Sequence, residues 1–573
     1  MHRFLRRSLS FAATVVSTLA PITTILLLLS AAAPQRAAAQ GGEPQTFAIR
    51  GATIVPVSGP RIENGTVIVA HGVITAVGKD VSFPQETWVI DGKGLTVYPG
   101  LVDSFTDIGV VAAPAAESGA RPATPPARGP EDRPASTPWR DAAGEATLSD
   151  KRIETWRSGG FTTVISANKG GLFPGQAALL DLGGERNGDL VVKSPVAIPV
   201  TLQPPGSFVS FPGSLMGTLG YVHQVWLDTE WSGRAESIYD KNPRGIARPR
   251  YDRTNSALAD ALEDKAVVLI PANTTIQIRR SFELVDLWKV PPVLYGGQMS
   301  YEVAGEIAAK KLPVLVNLKW PEAEKDADPD QVPTLRTLRF RDRAPSSPAA
   351  LAKANVKFAF YSGGITAPKD ALKAVKKSID AGLGADDALR ALTLSSAEIF
   401  GVSDRLGSID KGKIANLVVT DGDIFGEKTK IKYVFVDGRK YTIHEPEKPK
   451  DPPKGDLSGK WKLTFTSPQG PDEATANISM ASDGSLSGTV ASKLGTADII
   501  EGSLSVDKFS FKINLPIEDS PSDVIFSGTF DGKTMKGNIH VASVGIDIDF
   551  TGAKPSEKSI AAAEADMDVR SPR

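Results

Sequence analysis

The chain has 573 residues, a formal net charge of −1, 41% hydrophobic and 23% charged residues, and no cysteine. That length holds several domains, and a near-neutral charge without a sustained basic stripe excludes the electrostatic footprint of a nucleic-acid binder. The absence of cysteine excludes disulfides and a lipid on an N-terminal cysteine, so stability has to come from packed cores.

Arg3, Arg6 and Arg7 precede an apolar run from Leu9 to Ala33, and Ala37-Ala38-Ala39 then supplies small residues before the polar QGGEPQ. This order describes a secretory signal peptide over residues 1–39. The run is also long enough for a retained anchor, but the small-residue site favours cleavage. Arg6-Arg7 suggests a twin-arginine signal, although the residues after the pair match it poorly. The expected product is an exported protein, periplasmic or secreted, with no membrane span after cleavage.

Residues 43–98 alternate Val and Ile with polar residues, and Gly, Asn and Pro mark the bends, as in FAIRGATIVPV and GTVIVAHGVITAVG. These are short antiparallel strands. A matching piece returns at 404–445, in KIANLVVTDGD and KIKYVFVDGRKYTI. Each is too small to close a sheet well; together they form a composite β-sandwich that brings the ends of the intervening segment together.

That segment, residues 99–403, alternates apolar strands with helical stretches, which argues for a parallel α/β arrangement. Eight strands are expected: TVYPGLVDSF, FTTVISA, AALLDL, VAIPVTL, AVVLIPAN, PPVLYGG, LPVLVNL and VKFAFYSGG. Helices are expected in SALADALEDK, RRSFELVDLWK, SYEVAGEIAAKK and PKDALKAVKKSIDAG. The count fits an α/β fold of the (β/α)8 TIM-barrel type, with any active site at the C-terminal strand ends. The Pro- and Ala-rich stretch 110–138 reads as a disordered loop inserted after the first strand.

Residues 446–456 form a Pro-rich charged linker. Residues 457–552 carry about eight alternating strands with Asp-Gly turns at Asp483-Gly484 and Asp531-Gly532, the pattern of an antiparallel β-barrel or sandwich domain. DLSGKWKLTF is weakly similar to the opening of lipocalin-type barrels. Residues 553–573 read as a disordered tail.

GATIVPVSGPRIENGTVIVAHGVITAVG, VIDGKGLTVYPGLVDS and ALRALTLSSAEIFGVSDRLGSIDKGKIANLVVTDGD resemble the two ends of amidohydrolase-superfamily proteins, in particular imidazolonepropionase-like metal-dependent hydrolases. The resemblance implies a (β/α)8 barrel with a composite sandwich, hydrolysis of non-peptide carbon–nitrogen bonds, and one or two divalent metals, usually zinc, that activate a water. It also implies where the ligands should stand. The first-strand His-x-His pair aligns with Phe105 and Asp107 in PGLVDSFTDIG. The fifth-strand histidine segment aligns with Ile270-Pro271-Ala272-Asn273, the sixth-strand histidine with Gly296, and the eighth-strand aspartate with Gly363. All are substituted, so the metal site is expected to be degenerate, with no metal and no cofactor.

The histidine census agrees. His2 lies in the signal peptide, His71 and His444 in or beside the sandwich, His540 in the last domain, and only His223 in the barrel. It sits in LGYVHQVWLDTEW, a helical stretch, and reads as a packed or surface histidine. A family-type zinc site needs more nitrogen or sulfur ligands than that; an oxygen-ligand site using Asp107 and Asn273 stays open. Ser104, Ser166 and Ser362 fall near strand ends but have no histidine placed to activate them. SANKGGLFPGQAALLDL resembles a Gly-Gly-x-x-x-Gly-Gln segment of secreted family members. Its glycines Gly170, Gly171 and Gly175 permit close backbone approach of a ligand, or simply a tight connection. The candidate pocket is therefore Asp107, Asn273, Tyr295, Ser362, Gly171 and Gln176. The expected role is a binding or partner subunit, holding a small molecule in the barrel mouth or pairing with an amidohydrolase-like partner. Two alternatives are an active hydrolase with an oxygen-ligand or metal-free site, and an envelope or ligand-binding protein acting through the C-terminal β-domain.

Overall fold

The computed structural model describes residues 46–110, 133, 135–204, 211–323, 332–443, 452–467, 470–493, 495–517, 520–541 and 546–554. The expected signal peptide, most of the 110–138 insertion, the first half of the linker and the tail from 555 lie outside them. The chain divides between Thr442 and Ile443 into two compact units.

The first unit opens with β1 (Thr46–Ile54), β2 (Ile62–Ala70), β3 (Val73–Gly78), β4 (Trp88–Asp91) and β5 (Thr96–Pro99). They share one sheet with β14 (Leu417–Thr420), β15 (Ile431–Val436) and β16 (Arg439–Thr442), in the order β16-β15-β14-β5-β1-β2-β3 with β4 on β1. The join is the antiparallel pairing of Leu417 with Pro99 and Val419 with Val97. Alternate residues such as Ile49, Val67, Val97 and Phe435 form its core. The two distant pieces are thus parts of one composite module, as their matching rhythm implies.

Between them lies the barrel sheet. It comprises β6 (Leu101–Thr106), β7 (Phe161–Ser166), β8 (Ala177–Asp181), β9 (Val191–Pro199), β10 (Val267–Ala272), β11 (Pro292–Gly296), β12 (Val314–Asn317) and β13 (Phe358–Tyr361), in sequential order. Each overlaps an expected segment, although TVYPGLVDSF divides between β5 and β6, and β9 begins five residues before VAIPVTL. The parallel arrangement needs one correction: β8 runs antiparallel to both β7 and β9. The connections over 167–176 and 182–190 contain no crossover α-helix. A parallel neighbour needs a connection of about a dozen residues or more, so a short one turns the strand around.

The helices are α1 (Arg152–Ser158), α2 (Leu215–Lys241), α3 (Arg253–Glu263), α4 (Thr275–Trp288), α5 (Ala304–Ala309), α6 (Leu335–Arg343), α7 (Ser347–Lys353), α8 (Pro368–Asp380), α9 (Ala385–Ala391) and α10 (Leu394–Ile399). α3 begins where the Asp252 carboxylate accepts the Thr254 and Asn255 N–H groups, and α4 where the Thr274 hydroxyl accepts from Gln277, both ordinary N-caps. α5 is shorter than SYEVAGEIAAKK suggests. Its first part is a separate 3-10 turn, Ser300–Glu302. Inside the barrel, Val102, Ile165, Leu179, Ala197, Leu269, Val293, Leu315 and Ala359, one from each strand, belong to a continuous apolar core.

β6 and β13 do not form a ladder with each other. Asp103 Oδ1 bridges this seam by accepting the Ser362 N–H (3.0 Å) and, more weakly, the Phe105 N–H (3.4 Å).

The second unit is a closed meander. β17 (Gly459–Ser467), β18 (Gly470–Met480), β19 (Ser485–Ser492), β20 (Gly495–Asp498), β21 (Ile500–Ser505), β22 (Lys508–Ile517), β23 (Ser520–Phe530), β24 (Thr534–Val541) and β25 (Ile546–Ala553) pair in antiparallel fashion. β17 meets β25 and β18 meets β19, so eight strands close on themselves, with β20 appended to β19. Both Asp-Gly pairs are turns: Gly484 and Gly532 have φ of +81° and +92°, and Asp531 accepts the Lys533 and Thr534 N–H groups. Trp461, Phe509, Phe511, Phe526 and Phe550 fill the interior, with Phe511 stacked on Phe526 at 4.8 Å.

Candidate active site at the barrel mouth

In a barrel of this kind the chemistry-bearing side chains project from the C-terminal strand ends. At the end of β6, Phe105 lies edge-on to Tyr295 of β11 (5.3 Å) and to Tyr361 of β13 (5.8 Å). Three rings from three strands therefore meet where β6, β11 and β13 converge. Tyr295 donates its hydroxyl hydrogen to the Val200 carbonyl, Tyr361 is bonded to the Asn317 amide, and burial pushes both phenols up. The rings consequently stay neutral and close-packed.

Asp107 stands at the rim beside two cations, Arg152 at 3.0 Å and Lys169 at 2.7 Å. Burial alone would raise its carboxyl, but the hydrogen bonds and charges of Lys169 and Arg152 hold it below the ordinary range. It is an ionised, already compensated carboxylate.

The two glycines at the sixth- and eighth-strand positions are closed to side chains. Gly296 has φ +114°, and a Cβ there would overlap the side-chain amide of Asn273. Gly363 has φ +61°, and a Cβ there would overlap the Asn317 amide. Asn317 is pinned by the Lys319 N–H (2.8 Å). Side chains from neighbouring strands fill both volumes.

Other expected pocket members serve different purposes. Gly171 has φ +79°, and a Cβ there would lie 2.6 Å from the Ala135 carbonyl; at Gly175 it would lie 2.8 Å from that of Arg140. The glycines therefore admit the chain's own segment 135–142, which bridges to Phe173 and Gln176. Gln176 gives its side-chain amide to the Ala257 carbonyl of α3. Ser362 contributes its backbone N–H to Asp103. Ser104 is buried against Ser396, and Ser166 donates to the Ile108 carbonyl. His223 lies in α2 and lines a groove with residues of α2, α3 and α4.

Sequence reasoning passed over Asp103. It is 1% exposed, and its Oδ2 has no hydrogen-bond partner among the described residues. Burial pushes its carboxyl up to about 6, and the hydrogen bonds from Ser362 and Phe105 only partly offset this. The signal was present: Asp103 is an ionisable residue inside the apolar run YPGLVDSF. A second buried carboxyl, Asp181, lies away from the mouth motif. Its Oδ1 accepts from Thr163 (2.7 Å) and Asn416 (2.8 Å), tying β7 and β8 to the residue preceding β14.

Residues 325–441 match the amidohydrolase family. An amidohydrolase from Thermotoga maritima MSB8 shares the fold, with a TM-score of 0.57 and 22% identity over 69% of this chain and 100% of that one. Over residues 325–441 the chain is similar to the amidohydrolase family, and the barrel shares the amidohydrolase fold. Two further solved structures match less closely. One is a Xaa-Pro dipeptidase with bound methionine (TM-score 0.45, 15% identity, 69% of this chain and 100% of that one). The other is a prolidase complexed with N-methylphosphonate-L-proline (TM-score 0.43, 18% identity, 70% and 100%). No curated protein sequence matches the chain.

Amidohydrolases are typically metal-dependent, which makes the donor set of this mouth informative. It presents a rim carboxylate, Asp107, flanked by two cations, the buried Asp103 carboxyl, two asparagine amides, and two phenols held neutral by burial. Among the described residues no three His, Cys, Asp or Glu side chains converge as a metal would require. No helix among them is long and apolar enough to cross a membrane.

Proposed function

We propose that this amidohydrolase-superfamily protein is exported and that its barrel has given up metal-dependent hydrolysis, to act as a binding or partner subunit. The observation carrying this reading is the repacked mouth. Phe105 packs between Tyr295 and Tyr361, and Asn273 and Asn317 fill the space that side chains on Gly296 and Gly363 would need. These side chains do not fit a zinc site of the family type. Such a site takes several imidazole, thiolate or carboxylate donors in tetrahedral or similar geometry, and the rim carboxylate, Asp107, is already engaged by Arg152 and Lys169. The partner in this reading is a small molecule at the mouth or an amidohydrolase-like chain.

Asp103 favours a second reading, a metal-free hydrolase. A buried carboxyl with one free oxygen and a raised pKa is suited to general acid or base work, if substrate displaces the aromatic cap.

Metal content of protein purified without chelator, together with turnover of an amide and lactam panel, tests the proposal. The expected result is substoichiometric metal and no turnover. Stoichiometric metal with turnover abolished by Asp107→Ala overturns it, while metal-independent turnover abolished by Asp103→Asn establishes the second reading.

A further inference from the structure

The buried indoles of Trp320 and Trp461 donate their N–H groups to the Ala374 and Leu457 carbonyls, at 2.9 and 2.8 Å. Two other buried indoles break this pattern. Trp226 in α2 and Trp288 at the end of α4 are 5% and 7% exposed, and neither Nε1 has a hydrogen-bond partner among the described residues. Their rings lie 5.9 Å apart, tilted by 41°. Both line the groove of about 390 Å³ between α2, α3 and α4, together with His223, whose buried Nδ1 is also unpartnered. Nearly all buried polar groups in folded proteins find a partner, because leaving one unmade is destabilising. Three such atoms on the lining of one groove therefore call for a partner from outside the chain.

The lining sets the chemistry of that partner. Leu227, Leu262, Leu287 and Val290 join the two indoles in apolar walls, which suit a flat ring. Indole nitrogens only donate, so the two of them require two acceptors. His223 Nδ1 accepts when the imidazole is neutral with its hydrogen on Nε2, and then requires one donor. The ionised residues on the lining, Glu230 and Lys289, are exposed and opposite in sign, so the groove offers no net charge for an ion to answer. In this conformation the three polar atoms are closed to water. A ligand reaches them by displacing a lining side chain, and Leu287 and Lys289, which flank Trp288 in the sequence and are exposed, are the ones placed to yield.

We propose that this groove in the helical layer is a small-molecule site for an uncharged, planar nitrogen heterocycle bearing a carboxamide. The ring nitrogen and the carbonyl oxygen accept from Trp226 and Trp288, and the amide N–H donates to His223. The site stands whether or not the barrel mouth catalyses a reaction.

The test uses the full chain with nicotinamide as the probe, since it carries two acceptors and a donor on one flat ring. Calorimetric titration gives saturable one-site binding at millimolar concentrations, and in a nitrogen-15 spectrum two indole N–H resonances shift as the probe is added. Trp226→Phe and Trp288→Phe keep a ring but remove the donor, and each weakens binding about 2- to 10-fold, the worth of one hydrogen bond. Neither lowers the thermal melt, because the N–H removed had no partner to lose. Benzamide, which lacks the ring nitrogen, binds more weakly by a similar factor, and benzoate more weakly still. Absence of saturable binding, binding indifferent to both Trp→Phe substitutions, unmoved indole resonances in the wild type, or benzoate binding as well as nicotinamide each overturns the proposal. The resonance shifts decide the matter on the wild type alone if a variant does not fold.

Discussion

Asp103 stands on the first barrel strand and Ser362 directly follows the last, and the Asp103 carboxylate accepts the Ser362 backbone N–H at 3.0 Å where no ladder joins those strands. One side chain substitutes for a missing pair of main-chain bonds. Replacing Asp103 with Ala leaves the buried Ser362 N–H unpaired, and an unmade buried bond costs about 1–3 kcal/mol. Denaturant unfolding of Asp103→Ala should show a loss in that range for the first unit, and Asp103→Asn, which keeps the acceptor, should lose less.

The positions of Gly363 and Asn317 predict a coupled pair. Gly363→Asp restores the acidic residue expected on the eighth strand, but at φ +61° and against the Asn317 amide. Left-handed backbone at a non-glycine residue costs of order 1–3 kcal/mol, and the overlap adds to it. Combining Gly363→Asp with Asn317→Ala should recover part of the loss, and a double-mutant cycle should give a non-zero coupling energy. Neither variant should gain zinc in a dialysis measurement, because Arg152 and Lys169 still occupy Asp107.

Asp181 predicts a pH dependence. Burial pushes its carboxyl up to about 7, against an ordinary value of 3.8; the Thr163 and Asn416 hydrogen bonds offset part of this, and Asp437 and Arg405 add opposing charges. A value higher in the folded state means that the folded protein binds the proton more tightly. Its contribution to stability is therefore full below about pH 4 and is lost as pH rises through 7. Asp103 adds to the same trend. Asp181→Asn should flatten the slope between pH 5 and 8, and at pH 8 it should be more stable than wild type by roughly 1–4 kcal/mol. Chemical denaturation at the two pH values measures it.

The second unit has its own aromatic core and a sheet closed without the first unit. Residues 446–573 expressed alone should therefore unfold cooperatively, with near-ultraviolet dichroism from buried Trp461 that disappears in the same transition. A broad, non-cooperative melt would show that it depends on the rest of the chain.

The strand-rich ends were legible because Val and Ile alternate with polar residues around Gly and Asp-Gly turns, and the eight barrel strands because each is an apolar run bounded by turn residues. The reversal of β8 was present only as the shortness of residues 167–176 and 182–190, which the regular βα rhythm on either side outweighed. Gly363 could be read as a substitution, but the reason a side chain has no room there is Asn317, whose approach exists only after folding. Asp103 was read as part of a motif when it is a bond across a seam. The helical stretch around His223 was clear, whereas its length to Lys241 depended on the packing of α3 and α4 against it.

The pairing of Leu417 with Pro99 has a consequence for how the protein is made. β5 emerges from the ribosome more than three hundred residues before its partner β14, and the entropy of closing so large a loop has to be met before that contact contributes. Until then the nascent chain carries an open sheet edge, the kind of surface that recruits wrong partners. Chains terminated anywhere in the barrel are thus marked as unfinished by their own first domain, and synthesis of residues 417–442 is the step that seals the fold.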